Sequence, residues 1–501
     1  MKLNSKNEIM KKLVYIILII FLGTSCVKNL KEDPKGVLDA TAMFSNPVGI
    51  TLVANALGTQ LANIIYNSSA HSVPYMGGDD LTQQPSKQNA REVDIFAATS
   101  ANANLQTDWG GYFAAIRTAN TIISNVQYST ADKSVNDDCL GQAYFYRAIS
   151  YSFLTRIWGK VPLFLKYSDV IDYTIAPSEV ADIYATIVSD CQKADSLLPE
   201  SRPLSECFLG AKPIKGTAKA LLSQVYLTMA GWPLKQTSNY ALAAEKAKEV
   251  IDNASTYGYE LADIHDLWTW AYNYKNKECI FGMFYYNTAE GDWSGTMASP
   301  PADRPEEEAG SGWAEYYADI SFFNKFPAGP RKDVTYKTSL NLHGTVVPWY
   351  SELTRHQHPY FHKYTDDRDS LDWWGSRTQQ IIRYAEVLLN YAEAKAMSTG
   401  VDQSAYDAVN LVRARAAGKP NDLTPGLSAT TFRDSVVAER GWEFAGGEPA
   451  SRWFDLIRLE RVEEANANRD PKEIPLNHAP THADYWMPIP SYDKAINPNF
   501  K

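Results

Sequence analysis

Thr217-Ala218-Lys219-Ala220-Leu221-Leu222-Ser223-Gln224-Val225-Tyr226-Leu227-Thr228-Met229-Ala230, then the breaker Gly231-Trp232-Pro233, then Tyr240-Ala241-Leu242-Ala243-Ala244-Glu245-Lys246-Ala247 and on to Asp252: this stretch decides the fold. Two segments of helical period flank a turn that neither can continue through. Ala218, Ala220, Ala243, Ala244 and Ala247 keep the facing surfaces shallow, so two antiparallel helices can approach closely. Leu222, Tyr226, Tyr240 and Ile251 are the side chains expected to fill the seam. A lone pair of this kind cannot bury its apolar face. Stacking such pairs gives a tetratricopeptide-like scaffold.

The same pattern extends in both directions. Steps of three and four predict a helix over 105–126, through Trp109, Phe113, Ile116, Asn120 and Ile123. A second is predicted over 140–158, with Tyr144, Ala148, Tyr151 and Leu154, stopped by Gly159 and Pro162. A third, over 180–198, carries one stripe of Val180, Ile183, Tyr184, Ile187, Val188, Cys191 and Leu198, with Ser178 placed to cap it and Pro199 closing it. Towards the C-terminus Ile382, Ala385, Leu389, Ala392 and Ala396 form one face of a further pair, and Tyr406, Val409 and Val412 the other. Between the two helical regions, about 253–380, the period is lost and Gly, Pro, Ser, Asp and most of the Trp residues gather in short clusters. Within it Glu278–Tyr286 reads as a strand or buried extended segment. The predicted architecture is therefore mainly α: a helix-pair scaffold with an irregular, loop-rich half packed on it.

Composition narrows the function. The 501 residues include 48 Lys and Arg against 58 Asp and Glu, a net charge of −10. Without a basic cluster there is no footprint for nucleic acid. Aromatics make up 12% of the chain, with 30 Tyr and 13 Trp, enough to supply both a core and wet binding surfaces. The N-terminus has Lys2, Lys6, Lys11 and Lys12, then ten apolar residues from Leu13 to Leu22, then Gly23-Thr24-Ser25-Cys26. Ten residues are too few for a spanning helix. The pattern is that of a secretory signal over 1–25, and a cysteine just after it is a candidate lipid anchor. The parts of the mature chain are expected to run 26–252 and 253–501, forming one compact unit. Cys139, Cys191, Cys207 and Cys279 show no ligand spacing, so neither a metal centre nor a redox pair is expected.

Five segments, in order, resemble the SusD/RagB family of Bacteroidetes outer-membrane lipoproteins. They are Tyr144-Phe145-Tyr146-Arg147-Ala148 with Arg156-Ile157-Trp158-Gly159-Lys160-Val161-Pro162-Leu163; Gly216-Thr217-Ala218-Lys219-Ala220-Leu221-Leu222; and Ile382-Arg383-Tyr384-Ala385-Glu386 on to Ala394. The others are Glu439-Arg440-Gly441-Trp442-Glu443-Phe444 leading into Arg452-Trp453-Phe454-Asp455-Leu456-Ile457-Arg458, and the ending Pro488-Ile489-Pro490 with Asn497-Pro498-Asn499. The stretch Gly447-Glu448-Pro449-Ala450-Ser451 is an insertion relative to that pattern. The resemblance implies four tetratricopeptide-like helix pairs, a lipid on Cys26 and anchorage on the outer face of the outer membrane. It also implies a SusC-like TonB-dependent transporter as partner and an oligosaccharide or polysaccharide as cargo, peptide in some members. It implies no catalytic residue and no cofactor.

Sugar recognition needs flat aromatic faces and polar groups for hydroxyls. Aromatics in turn-rich contexts are the candidates: Tyr75 beside Gly77-Gly78-Asp79-Asp80, Trp293 with Asp292 before it, and Trp313 after Gly310-Ser311-Gly312. Trp109, Trp158 and Trp453 read as core. His356, His358 and His362 lie close together, but Pro359 spoils a helical ligand spacing, and Asp366, Asp367, Asp369 and Asp372 match no EF-hand loop. No zinc-protease, hydrolase-elbow or P-loop motif is present. The expectation is a glycan-binding surface lipoprotein and not an enzyme. The rival readings are a peptide-cargo binder and a secreted glycoside hydrolase, since a pair of carboxylates leaves no sequence signature.

Overall fold

A computed structural model describes residues 40–66, 73–285 except 169 and 171, 315–363 except 343 and 355, 378–448 and 452–500. The long helices are α1 (Gly49–Tyr66), α2 (Ala103–Asn125), α3 (Lys133–Trp158), α4 (Val180–Leu197), α5 (Lys215–Ala230) and α6 (Asn239–Asp252). After the short α7 (Ile320–Lys325) come α8 (Tyr384–Thr399), α9 (Gln403–Ala417), α10 (Ala429–Glu443), α11 (Arg452–Arg458) and α12 (Val462–Asn466).

The helices pack as four pairs, α1–α2, α3–α4, α5–α6 and α8–α9, and successive pairs touch through α2–α3, α4–α5 and α6–α8. The scaffold is thus continuous in space but not in sequence. Chain 253–383 is an excursion that leaves after α6 and returns to place α8 beside it. Residues 44–501 form one compact unit.

The α5–α6 seam follows the alanine pattern: Ala218, Ala220, Ala243, Ala244 and Ala247 are all buried, with Leu222, Tyr226 and Tyr240. Val250, not Ile251, completes it on α6, because Val250 continues the i, i+3 stripe from Ala247 while Ile251 is turned towards the edge. Other details also differ from the sequence reading. α3 begins at Lys133, seven residues before Leu140, on a polar, solvated first turn that apolar periodicity does not register. Ser178 does not cap α4; its N-cap is Glu179, with no side-chain hydrogen bond. Ile382 is the penultimate residue of a strand, so the face of α8 starts at Ala385.

Buried ion pairs also hold the helices together. Arg147 on α3 donates through Nε and Nη2 to Asp190 on α4 (2.7 and 2.8 Å) and through Nη1 to Asn120 Oδ1 on α2 (2.7 Å). Arg440 on α10 donates to Asp455 on α11 (2.8 Å) and to Asn390 on α8 (2.6 Å), and Asn390 donates on to Ser223 of α5 (3.0 Å). The arginines of the family-like segments therefore serve as struts between helices.

The excursion is built from two-stranded ladders. β2 (Cys279–Phe284) pairs antiparallel with β8 (Thr378–Arg383), giving the expected extended segment a partner. β1 (Leu81–Gln83) pairs with β3 (Tyr316–Ala318), β4 (Tyr336–Lys337) with β7 (Tyr360–Phe361), and the hairpin β5 (Ser339–Leu342) with β6 (Thr345–Pro348). Arg383, at the end of β8, bonds Glu278, Glu443 and Glu448. Arg415 bonds Glu278 and Glu443, and Arg331 bonds Glu439 and Glu443. This largely buried hub, with Arg415 at its half-buried edge, bolts the excursion to α9 and α10. Burial alone would raise the Glu443 carboxyl, but Arg415, Arg383 and Arg331 together hold it down at about 2.

Candidate functional site

β1 and β3 bring two distant parts of the chain side by side: Leu81 faces Ala318, Thr82 faces Tyr317, and Gln83 faces Tyr316. Where that ladder ends, a cleft of about 350 Å³ opens between the 73–76 turn, residues 86–90, the start of α2 and Glu315–Tyr316. Its character is set by amides. Asn102 caps α2, its Oδ1 accepting from the N–H groups of Asn104 and Leu105 (3.2 and 3.3 Å). Its Nδ2 donates to Asn89 O (2.9 Å), and Asn89 donates to Asn104 Oδ1. Lys87 pairs with Glu315 across the cleft, joining its two walls. Asn89, Asn104 and Lys87 remain half-buried, with polar atoms oriented by these bonds and solvent within reach.

The floor is fixed from below. Thr82 and Gln83 both donate to Asp94 Oδ2 (3.2 Å each), and Arg469 donates to its Oδ1 (2.8 Å). Burial pushes the Asp94 carboxyl up to about 6 against the pull of Arg469. Asp80 is also pushed up to about 6, by burial and then by Asp79, while its Oδ2 accepts from the Gly446 N–H (2.9 Å). Gly77 lies flat on the Trp453 ring; a Cβ there would sit 2.7 Å from it. A preorganised set of amides, an ammonium and a carboxylate in a wet cleft can donate to and accept from hydroxyls without first paying to order itself.

Of the residues singled out from sequence, Tyr75 is a correction. It is 1% exposed, edge-on to Phe454 at 5.3 Å, and burial holds its phenol well above the ordinary value. The glycines beside it bring the turn against the core instead of displaying it, so Tyr75 offers no open face for stacking. Asp292, Trp293 and Trp313 lie outside the described residues, as do Cys26 and Asp366 to Asp372. The turn around Tyr75 nonetheless supplies Val73 and Met76 to the cleft, and Glu315 and Tyr316 follow Trp313 by two and three residues. Sequence reasoning missed Lys87, Asn89, Asn102 and Asn104 because it searched for rings. The available signal was Gln83-Gln84-Pro85-Ser86-Lys87-Gln88-Asn89, a run dense in amides.

Trp109, Trp158 and Trp453 are core, at 3%, 3% and 1% exposure. The histidines have ordinary partners: His358 is buried beside Glu473 (3.3 Å), and His362 Nδ1 lies 3.3 Å from Asp333 O. Among the described residues the four cysteines are free, no acidic or histidine cluster is arranged to hold a metal, and no helix is long and apolar enough to cross a membrane.

Stacked helix pairs carrying a laddered, loop-rich excursion with an amide-lined cleft define a helical binding scaffold. Comparison gives the family. Residues 350–500 match the SusD family model, and residues 51–227 match the model described as starch-binding associating with outer membrane. SusD-like protein P2 of Formosa agariphila is 27% identical over 97% of this chain and 98% of its own length. The SusD homolog from Bacteroides thetaiotaomicron superposes with a TM-score of 0.78 at 21% identity, over 92% of this chain and 97% of that one. Surface glycan-binding protein A from the same organism gives 0.75 at 18% identity, over 92% and 99%. The chain belongs to the SusD/RagB family.

Proposed function

We propose that this protein is a glycan-binding lipoprotein of the outer membrane that captures an oligosaccharide or polysaccharide and passes it to a SusC-like TonB-dependent transporter. The observation that carries the reading is the cleft at Lys87, Asn89, Asn104 and Glu315, whose hydroxyl-matching groups are already oriented by Asn102 and by the β1–β3 ladder. The relatives support it: one matching family model is described as starch-binding, and one structural neighbour is a surface glycan-binding protein. Cys26 carries the lipid in this reading, and the chain binds without cleaving. Trp293, Trp313 and Asp292 remain the proposed stacking and polar partners for the sugar. A few stacked rings and hydrogen bonds, set against the cost of association, give the modest affinity that hand-over requires.

The test is a glycan array followed by calorimetry on the positive glycans. Lys87→Ala with Asn89→Ala should weaken binding about tenfold or more, with an unchanged melting temperature. Trp293→Ala and Trp313→Ala should weaken it comparably. Binding unaffected by all four changes removes the cleft from the proposal, and product release from any polysaccharide makes the protein an enzyme. Cys26→Ala should release the protein from membranes, and pull-down from native membranes should recover a TonB-dependent barrel.

A further inference from the structure

A second cleft, of about 250 Å³, runs along α10 between α12 and α7. Asp434, Val437, Ala438 and Trp442 lie at helical spacing on α10 and form one wall, in which Val437 is buried and the other three are half-buried. The half-buried Trp442 indole makes no hydrogen bond or ring contact among the described residues. Every aromatic-core tryptophan described above is sealed; this one is presented.

The polar groups around it fall into two sets. One is rigid: Arg452 forks onto Asp79 (2.7 and 3.1 Å), and Arg461 donates to Asp434 Oδ1 (2.7 Å). The other is uncommitted: the side chains of Lys325, Glu464 and Asn468 have no protein partner among the described residues. Lining charges are three carboxylates (Asp79, Asp434, Glu464) and three cations (Lys325, Arg452, Arg461), which sum to zero. A neutral lining with an open indole, free donors and free acceptors fits a neutral polyol with one apolar face. A charged ligand would need an excess of one sign.

We propose that this cleft is a second saccharide-binding site, with Trp442 as the platform for a neutral sugar ring. The inference rests on the glycan-binding reading and extends it to ligands long enough to touch both places. Met76 lines the first cleft and Asp79 the second, so three residues of chain, at most about 11 Å, separate their linings. The turn Met76–Gly78 between them is buried, so a ligand that touches both must pass over it, and engagement of a second site on the same molecule raises affinity without new contacts at the first.

The experiment uses the full chain labelled with 5-fluorotryptophan, titrated with malto- and laminari-oligosaccharides of two to eight rings and with starch and laminarin. Trp442→Phe identifies the Trp442 fluorine resonance by its loss. That resonance is expected to shift with the longer oligosaccharides. Trp442→Ala is expected to weaken polymer binding about tenfold while leaving two-ring ligands unchanged, with Trp442→Phe in between. A silent Trp442 resonance, while binding still depends on Lys87 and Asn89, overturns this inference and leaves the first site standing. A shifting resonance with binding indifferent to Lys87 and Asn89 supports this site and removes the first. Trp442 responding to peptides and not to glycans overturns it, and the absence of any glycan response overturns both.

Discussion

The helix-pair scaffold and the 253–383 excursion solve the same problem differently. In the scaffold, alanine-lined seams such as α5–α6 bury apolar surface continuously, and buried arginines such as Arg147 and Arg440 cross-link the helices. In the excursion, short ladders of two to six residues supply little apolar area of their own; a two-stranded ribbon alone is marginal in water. Its order comes from ion pairs to the helices, in which Arg383, Arg331 and Glu278 of the excursion meet Arg415, Glu439, Glu443 and Glu448. The lesson is that the cleft is formed by the weaker region and held by the stronger one. Its Glu315–Tyr316 wall belongs to the excursion, while its Asn102–Asn104 wall belongs to α2.

Breaking the hub tests this most severely. Arg383→Met removes the one cation shared by Glu278, Glu443 and Glu448 and should cost about 3–5 kcal/mol. Hydrogen exchange should rise first over 279–284 and 331–363, before α2 to α5 respond. Uniform loosening of both regions would show that they are not distinct. A change confined to the scaffold comes next. A Cβ at Gly231 would lie 2.3 Å from the Arg458 carbonyl oxygen, so Gly231→Ala should cost about 1–3 kcal/mol in the melting transition while glycan affinity holds.

Asn102→Ala acts where the two regions meet. It removes the α2 cap, worth about 1 kcal/mol, and frees Asn89, so calorimetry should find a larger loss of glycan affinity than of stability. The last effect vanishes at one end of the pH range. Burial, with Glu473 beside it, pushes the Asp319 carboxyl up to about 7, while its oxygen caps α7 by accepting from the Phe322 N–H (2.9 Å). The folded state then holds a proton that the unfolded chain, titrating near 3.8, has already released, so this group's contribution falls as pH rises from about 4 to 7. Asp319→Asn keeps the cap and stays neutral. It should match the native protein below pH 4 and exceed it in denaturation midpoint above pH 7.

Much of the scaffold was legible along the chain. The predicted bounds of α2, α4, α5 and α6 lie within two residues of the observed ones because each presents an apolar or alanine stripe at helical spacing, and the Tyr406, Val409 and Val412 face falls on α9. The first turn of α3 is not legible because it is polar and solvated, and the strand character of Ile382 is not because it depends on the partner strand Cys279–Phe284. The site was legible only in outline. The turn around Tyr75 draws attention for its ring and does line the cleft, through Val73 and Met76, yet the described polar groups of the cleft are amides, Lys87 and Glu315.

By itself the sequence determined that helices form, where most begin and end, and that they stack in pairs, because periodicity and small residues are local properties read within a few turns. Only the tertiary structure decided that α8 returns beside α6, that Arg383 and its carboxylates converge, that Tyr75 is sealed, and that Trp442 is left open. Those outcomes depend on groups tens to hundreds of residues apart. Their meeting is set by packing and by the need to pair every buried charge, for which no local pattern exists.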